Sequence, residues 1–487
     1  MKTEDPILTF ELEIPADESR SVTRTLHRQL KSAIRSGRIA PGLRLPATRA
    51  MAEHLGISRN SVIAAYDLLT MEGDVWTRTG SGHYVCETVP QATPQKAAAS
   101  ARHRGRRLNV DYRGFAEPVK MIDPAGSAFD FRLGVPEISL LPLDVWGRLS
   151  NRALRSLPRR EAGYASPAGE PGLRAAIAGH VSVTRAIACS ADDVVVTAGA
   201  QQAFDLIARV LVTPGRTVVA VEDPGYPPLR DVFAAAGAVI VPVPVDDEGL
   251  RVDLLPPNTQ VIYVTPSHQF PLGVAMSARR RRQLLAVARQ RGAVIIEDDY
   301  DGEFRFDNRP LDALQTLSDD ESVLYVGTFS KSLFPGLRMG FVIAPGWARQ
   351  ALTVARQRAD WHGNLQAQNA LGAFITEGHL TRHVRRMRAL YGERRRRLAE
   401  GLDEHLARWL APIPASAGLH VGTRAIADFD VDRVVAGARA RGVNVDWVGR
   451  YAAGPGHAQG LLFGYGAVDA EAIPEALRRI RDAFEAA

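Results

Sequence analysis

The chain has 487 residues, 46% of them hydrophobic and 23% charged, with a formal net charge of +6. That size and hydrophobic content call for two or three globular domains with sizeable cores. No uninterrupted apolar stretch approaches the ~20 residues a bilayer demands. The two cysteines, Cys86 and Cys189, lie in unrelated segments without metal-ligand spacing, which excludes a disulfide framework and fits a reducing cytoplasm. With the polar, acidic start Met1–Pro6, the expectation is a cytoplasmic protein, neither secreted nor membrane-bound.

In chain order, Val22, Leu26, Leu30 and Ala33 recur at helical spacing, and Gly37 with Pro41-Gly42 closes that helix. A second helix is predicted from about Thr48 to Leu55, stopping at Gly56. Ser58 is a good N-cap for a third, whose inward face would be Val62, Ala65, Tyr66 and Leu69. Two short helices around a glycine turn make a helix-turn-helix, and the first turn of the second helix, Arg59-Asn60-Ser61, is the part that enters a major groove. The segment Trp76–Val85 reads as two short strands around a glycine turn, a wing that can reach the minor groove or the phosphates. A small helical docking module is the competing reading.

The charge is uneven. Residues 1–86 hold 11 Lys+Arg against 10 Asp+Glu, and residues 87–115 hold 6 against 2, so +4 of the +6 sits in the Pro/Ala/Gln-rich stretch after the wing. That stretch reads as a flexible linker. Its cluster Arg102-His-Arg-Gly-Arg-Arg107 can add phosphate contacts, although a solvated charge run is the commoner use. The same applies to Arg279–Arg282 and Arg394–Arg397, which read as solvated helix faces.

Further on, Val194–Gln202 is a strand that runs through Gly199 into a helix, whose free N–H groups at Ala200 and Gln201 suit a phosphate. Glu222–Pro228 sets Tyr226 on a Pro/Gly-shaped loop after the strand Val218–Val221, where its ring can stack on a planar ligand. Ala293–Tyr300 is a β-branched strand ending in acids, as parallel strands do where they deliver a site. Side chains alternate along a strand, so Asp298 and Tyr300 share a face and Asp299 does not. The run Tyr325–Gly340 carries Thr328, Ser330, Lys331 and Arg338. A desolvated lysine at a strand end is a nucleophile for an aldehyde, and the other three can receive a phosphate. This is the layout of a pyridoxal-phosphate (PLP) site, with Asp298 facing the pyridinium nitrogen and Tyr300 the ring hydroxyl.

Together these residues resemble the fold-type I aminotransferase family over Phe129–Ala487. The order of pieces matches: a glycine phosphate turn, a stacking aromatic, the Pro-x-x-Gln-x-Pro-x-Gly loop Pro266–Gly273, Asp-x-Tyr, then Ser-x-Lys with an arginine seven residues beyond the lysine. Tyr164 with Gly169, Leu173 and Arg174 also looks like that family's Tyr…Gly…Leu-Arg segment. The N-terminal part, through Gly37–Pro46, Leu55–Val62 and Ala65…Gly80-Ser-Gly82…Val85, resembles the GntR family of winged-helix repressors. By that pattern Arg44, Arg49 and Arg59 are DNA contacts, with Ser58, Asn60, Ser61 and Gly82 beside them. Ala47 departs from the serine usual at the second helix cap, which leaves Thr48 to compensate.

The fusion is similar to the MocR/GabR architecture of bacterial regulators. It implies an α/β fold class: a winged helix-turn-helix domain at 18–86, a flexible basic linker at 87–127, and an aminotransferase-like PLP domain at 128–487 with a large α/β part and a small C-terminal α+β part. It further implies a homodimer with each head over its partner's body, binding two half-sites on double-stranded DNA and sensing PLP or a small amine. The alternative is a working aminotransferase with a DNA-binding head. Two departures weigh against it. Phe270 stands where aminotransferases hold the ring hydroxyl with asparagine, leaving His268 or Tyr300 to do so. Leu461 stands where they grip a carboxylate with arginine, leaving Arg450 or Arg424. Pro228 likewise replaces the second carboxylate-binding arginine of γ-aminobutyrate sensors, so that ligand is not expected.

Overall fold

The computed structural model describes residues 22–87, 127–156, 163–306, 312–454 and 459–487. They fall into two compact units, one within residues 22–87 and one beginning at residue 127. The expected linker, with its Arg102–Arg107 cluster, lies outside the described residues apart from its two ends.

The first unit opens with helices α1 (Val22–Arg35), α2 (Thr48–Leu55) and α3 (Arg59–Met71). Leu26, Leu30 and Ala33 of α1 are fully buried with Val62, Ala65, Tyr66 and Leu69 of α3, the inward face expected from helical spacing. Gly56 ends α2 in the left-handed region at φ 63°, its N–H returning to the Ala52 and Glu53 carbonyls, a conformation in which a Cβ is costly. Ser58 then caps α3, its hydroxyl accepting the Ser61 N–H at 3.1 Å. The expectation for Thr48 fails: Ala47 is the N-cap of α2 and no side chain caps that helix. The Thr48 hydroxyl instead accepts from Arg59 Nε at 3.4 Å. Strands β1 (Val75–Arg78) and β2 (Gly82–Val85) pair antiparallel to form the wing, and a bridge from Arg44 to Tyr84 adds a third short edge. Because the Ser58 cap satisfies an otherwise orphaned donor, Ser58→Ala should cost about 1 kcal/mol. The loss would be read as a roughly fivefold drop in amide-exchange protection along α3, with the second unit unchanged.

The second unit is built on an eight-stranded sheet. In chain order, after β3 (Phe129–Asp130), its strands are β4 (Val194–Thr197), β5 (Val218–Asp223), β6 (Val239–Asp246), β7 (Gly249–Leu250), β8 (Val261–Val264), β9 (Val294–Asp299), β10 (Val323–Thr328) and β11 (Gly340–Ile343). They lie side by side as β4-β11-β10-β9-β8-β5-β6-β7. The run from β10 to β6 is parallel, and β11 enters antiparallel between β10 and β4. Parallel strands need both faces covered, which is why β5, β8 and β10 are buried at every residue and are dominated by apolar side chains. Helices Ala200–Leu211 and Gly346–Asp360 pack together on one face, and Ala278–Arg291 lies on the other.

A smaller antiparallel sheet, in the order β12-β13-β16-β15, follows from β12 (Leu410–Pro412), β13 (His420–Ala425), β15 (Asp446–Trp447) and β16 (Leu461–Gly464). Between them β14 (Val443–Asn444) pairs parallel with β3, tying the start of this unit to its end. The 28-residue helix His379–Leu406 and the helix Ile473–Glu485 pack against each other beside it. This is the expected large α/β part with a small α+β part.

Two arginine runs are solvated faces only in part: Arg279, Arg282 and Arg396 are exposed as expected, and three of their neighbours are not. Arg280 and Arg281 are buried, and Arg281 donates to the carbonyls of Met276 at 3.0 Å, Asp312 at 2.9 Å and Pro266 at 2.7 Å. Arg394 is buried as well, paired with Glu137 at 2.7 Å and bonded to the Gly466 carbonyl. A guanidinium can satisfy several carbonyls at once, so a helix turned toward irregular loops uses it as a brace. Arg281 thereby fixes the start of the Pro266–Gly273 loop.

Candidate functional site

The parallel strands end on one side of the sheet, and the turns that follow them line a cavity of about 500 Å³. From β4 come Ala200 and Gln201 at the start of their helix, behind Gly199, whose φ of 81° needs glycine. The loop after β5 contributes Tyr226, while Asp298 and Tyr300 come from the end of β9. The turn after β10 adds Thr328, Ser330, Lys331 and Arg338. Nine of the ten cofactor residues expected from the sequence therefore share one wall.

The tenth, His268, does not line the cavity. Its ring is buried behind Tyr300, with Nδ1 3.0 Å from the Tyr300 hydroxyl and 3.0 Å from Asp301 Oδ2. Of the two arginines left open, Arg450 is on the cavity wall, joined to Asp446, whereas Arg424 pairs with Asp247 outside it. Leu461 is fully buried in β16. Phe270 lines it, at the position where the sequence has it in place of an asparagine, and not anticipated on the wall are Tyr263, Tyr451, Gly134 and Asp231. For Tyr263 a signal was present: one phenol in the buried strand Val-Ile-Tyr-Val must find a partner.

Lys331 Nζ donates to the Gly134 carbonyl at 2.6 Å. A Cβ on Gly134 would fall 2.7 Å from that nitrogen, so the lysine sits in a cradle that only glycine leaves open. Burial lowers the lysine pKa, Asp301 and Asp298 oppose the shift, and Arg338 adds to it. Asp298 accepts the Tyr263 hydroxyl on Oδ2 at 2.8 Å, while its Oδ1 is buried with no partner. Burial pushes the Asp298 carboxyl up to about 7, against the Tyr263 hydrogen bond. Asp299, on the opposite face as alternation requires, pairs with Arg185 and accepts the Tyr325 hydroxyl at 2.7 Å.

At the other end of the cavity, Thr328 and Ser330 hydroxyls lie 3.0 Å apart and Arg338 donates to the Ala198 carbonyl at 2.8 Å. An anion there meets three polar side chains and a helix N-terminus. The loops are bound to one another. Gln269 donates to the Pro224 carbonyl at 2.9 Å and accepts from Leu272 N–H at 3.0 Å. The Gly225 N–H reaches the Tyr451 carbonyl at 3.1 Å, and Ala453 N–H reaches Asp223 at 2.8 Å. The residues present fit PLP: an amine in a cradle, an orphaned carboxylate oxygen for a ring nitrogen, a flat aromatic, and a phosphate seat.

In the first unit, Ser58, Arg59 and Asn60 are exposed at the start of α3, and Arg49 is exposed on α2. Ser61 is engaged with the cap, its hydroxyl 2.8 Å from that of Ser58. Arg44 runs under the wing beside Gly82, where a Cβ would meet its Nε at 3.0 Å. Gly82, at φ 117°, thus makes room for Arg44. If Arg59 reads a base edge, Arg59→Ala should cost about 1–3 kcal/mol of specific binding. A gel-shift titration separates that from a phosphate contact, whose loss weakens all sequences alike.

Comparison with known proteins agrees with both halves. The family "Aminotransferase class I and II" matches residues 131–423, and "Bacterial regulatory proteins, gntR family" matches residues 23–85. The probable rhizopine catabolism regulatory protein MocR of Rhizobium meliloti is 35% identical over 97% of this chain and 96% of its own. The HTH-type pyridoxine biosynthesis transcriptional regulator PdxR of Corynebacterium glutamicum is 32% identical over 96% of each chain. Among solved structures, the multiple substrate aminotransferase of Thermococcus profundus superposes with a TM-score of 0.70 at 26% identity, covering 78% of this chain and 97% of that one.

Proposed function

From the premise that the chain belongs to the aminotransferase class I and II family and carries a gntR-family head, we propose that it is a DNA-binding transcriptional regulator whose body holds PLP and senses PLP itself or a small amine. The observation that carries this reading is one chain with both an exposed, capped Arg59-Asn60 turn and a half-buried Lys331 held at the Gly134 carbonyl, lining the same cavity as Asp298 with its partnerless oxygen. With it we propose the domain division 18–86, 87–127 and 128–487.

When bound, PLP supplies an aldehyde for an amine and an electron-withdrawing ring. Lys331 would offer its nitrogen to that aldehyde, and burial, which lowers its pKa, favours the unprotonated amine. Asp298 would hold a proton on the ring nitrogen, Tyr226 would cover the ring, and Tyr300 would turn its proton from the His268 carbonyl to the ring oxygen. Thr328, Ser330, Arg338 and the N–H groups at Ala200 and Gln201 would hold the phosphate. An amine effector acts by favouring one conformation of the body over another, because only differential binding shifts such an equilibrium.

The cavity does not favour transamination of ordinary amino acids. Leu461 offers no fork for a carboxylate, and Arg450 is already joined to Asp446. We expect α-amino acids with α-keto acids to give little or no sustained keto-acid production, while PLP or a specific amine changes affinity for operator DNA. Many cycles of keto-acid formation per subunit would instead favour the bifunctional reading. A homodimer in the cytoplasm completes the proposal. Tyr164 is 81% exposed and lies against the half-exposed Trp361, ring centroids 4.7 Å apart, an aromatic pair of the kind a second copy covers. Sedimentation of the full chain tests it.

A further inference from the structure

We propose that His268, held by Asp301, is a positioning residue for Tyr300 that makes the tyrosine hydroxyl a stronger hydrogen-bond donor toward the cavity. The inference rests on the PLP reading and concerns residues that do not themselves line the cavity. Tyr300 donates to the His268 carbonyl at 2.9 Å, a single proton that has to turn from that carbonyl to reach a ring oxygen in the cavity, and the same hydroxyl oxygen lies 3.0 Å from His268 Nδ1, which can stay its donor after the turn. That Nδ1 is also 3.0 Å from Asp301 Oδ2, which accepts the Leu419 N–H at 3.2 Å. His268 and Asp301 are both 1% exposed.

In so dry a place a bare nitrogen lone pair beside a carboxylate oxygen is repulsive, so Nδ1 carries the ring proton and points it at Asp301 and the phenol. A donor into the phenol oxygen polarises its O–H bond, and chains of this kind strengthen one another in a low dielectric. Phe270 offers no polar atom where an asparagine would share the task, so the ring oxygen depends on Tyr300. The pair is also given room. A Cβ on Gly418 would fall 2.0 Å from His268 Nδ1 and 2.7 Å from Asp301 Oδ2, and its φ is 90°.

Behind His268 stands His420, ring centroids 4.3 Å apart, hydrogen-bonded to the Pro271 backbone. Nε2 of each ring is buried without a partner. Two imidazoles sharing one zinc ion at 2.0–2.1 Å per nitrogen stand roughly 5 Å apart, ring to ring, which makes a shared ion the weaker use of this cluster. The charged groups acting on Tyr300 are Asp301, Asp298, Glu222 and Asp299, with Lys331 and Arg338 on the cavity wall and His420 behind His268. Burial first, then those acids, hold its hydroxyl protonated well above the usual phenol range, so it remains a donor.

The test is the pH titration of the visible absorption band of the full-length, PLP-loaded protein. A weaker donor at Tyr300 leaves the proton that Lys331 nitrogen shares with the ring oxygen more tightly held, so the midpoint moves to higher pH. His268→Phe should raise it by about one unit, tenfold in the acid constant. His268→Phe added to Tyr300→Phe should shift it no further than Tyr300→Phe alone. His268→Gln, which keeps an N–H, should recover part of the effect. An unchanged midpoint in folded His268→Phe, or in His268→Leu should the first not fold, overturns the proposal. So do additive shifts in the double variant, or one bound metal per chain whose removal moves the midpoint. A wild type with no band at any pH overturns the PLP reading itself, and this inference with it.

Discussion

Lys331→Ala will leave the purified protein without a visible absorption band, and borohydride will fix no cofactor to it, while the head retains at least part of its DNA binding. The first outcome follows from geometry. Lys331 is the amine on the wall of the cavity that Asp298 also lines, and an alanine puts no nitrogen within reach of an aldehyde there. The second follows from the division into two units, since the hydrogen bonds that shape α3 and the wing are made among residues 22–87. Spectra before and after dialysis and reduction check the first, gel shifts the second. A band that survives reduction in Lys331→Ala would assign the aldehyde to another lysine.

Without cofactor, the body should lose stability as pH rises from about 4 to 7, and Asp298→Asn should flatten that slope. Burial raises the Asp298 carboxyl from 3.8 to about 7, and raises Glu222 and Glu297 from 4.5 to about 7. A carboxyl whose folded pKa lies above its unfolded value binds more protons in the native state between the two. Its contribution is therefore complete below the unfolded pKa and is lost as pH rises through the folded one. For Asp298 alone that amounts to at most a few kcal/mol. A protonated ring nitrogen beside Oδ1 gives the ionised carboxylate a partner, so PLP should restore stability most at the alkaline end. Melting curves with and without PLP at pH 5 and pH 8 read the effect. A cofactor-free Tm that rises over that interval would contradict it. Asp298→Ala should also weaken PLP binding and shift the band.

Local signals were legible where one element carries them whole. The inward face of α3, the Ser58 cap, the opposed faces of Asp298 and Asp299, and the Lys331 turn all follow from periodicity and capping chemistry within a few residues. What could not be read depends on which distant segments meet. Arg281 and Arg394 look like solvent charges on their own helices, and only the placement of Pro266, Asp312, Glu137 and Gly466 makes them braces. His268 occupies a loop whose motif suggests ligand contact. The carbonyl and ring both turn to Tyr300, and that depends on Asp301 and Gly418 from other parts of the chain. Arg450 was open against Arg424 because neither lies at a fixed spacing from Lys331.

The hydrogen bonds from Gly225 to Tyr451 and from Ala453 to Asp223 stitch the large sheet to the segment just after β15 of the small one. The two banks of the cavity thus belong to different sheets, which share one apolar core holding Val196 and Phe341 of the large sheet together with Leu461 and Phe463 of the small one. A ligand that fills the cavity therefore bears on two sheets at once, and a close-packed core transmits the strain of a poor fit from one to the other.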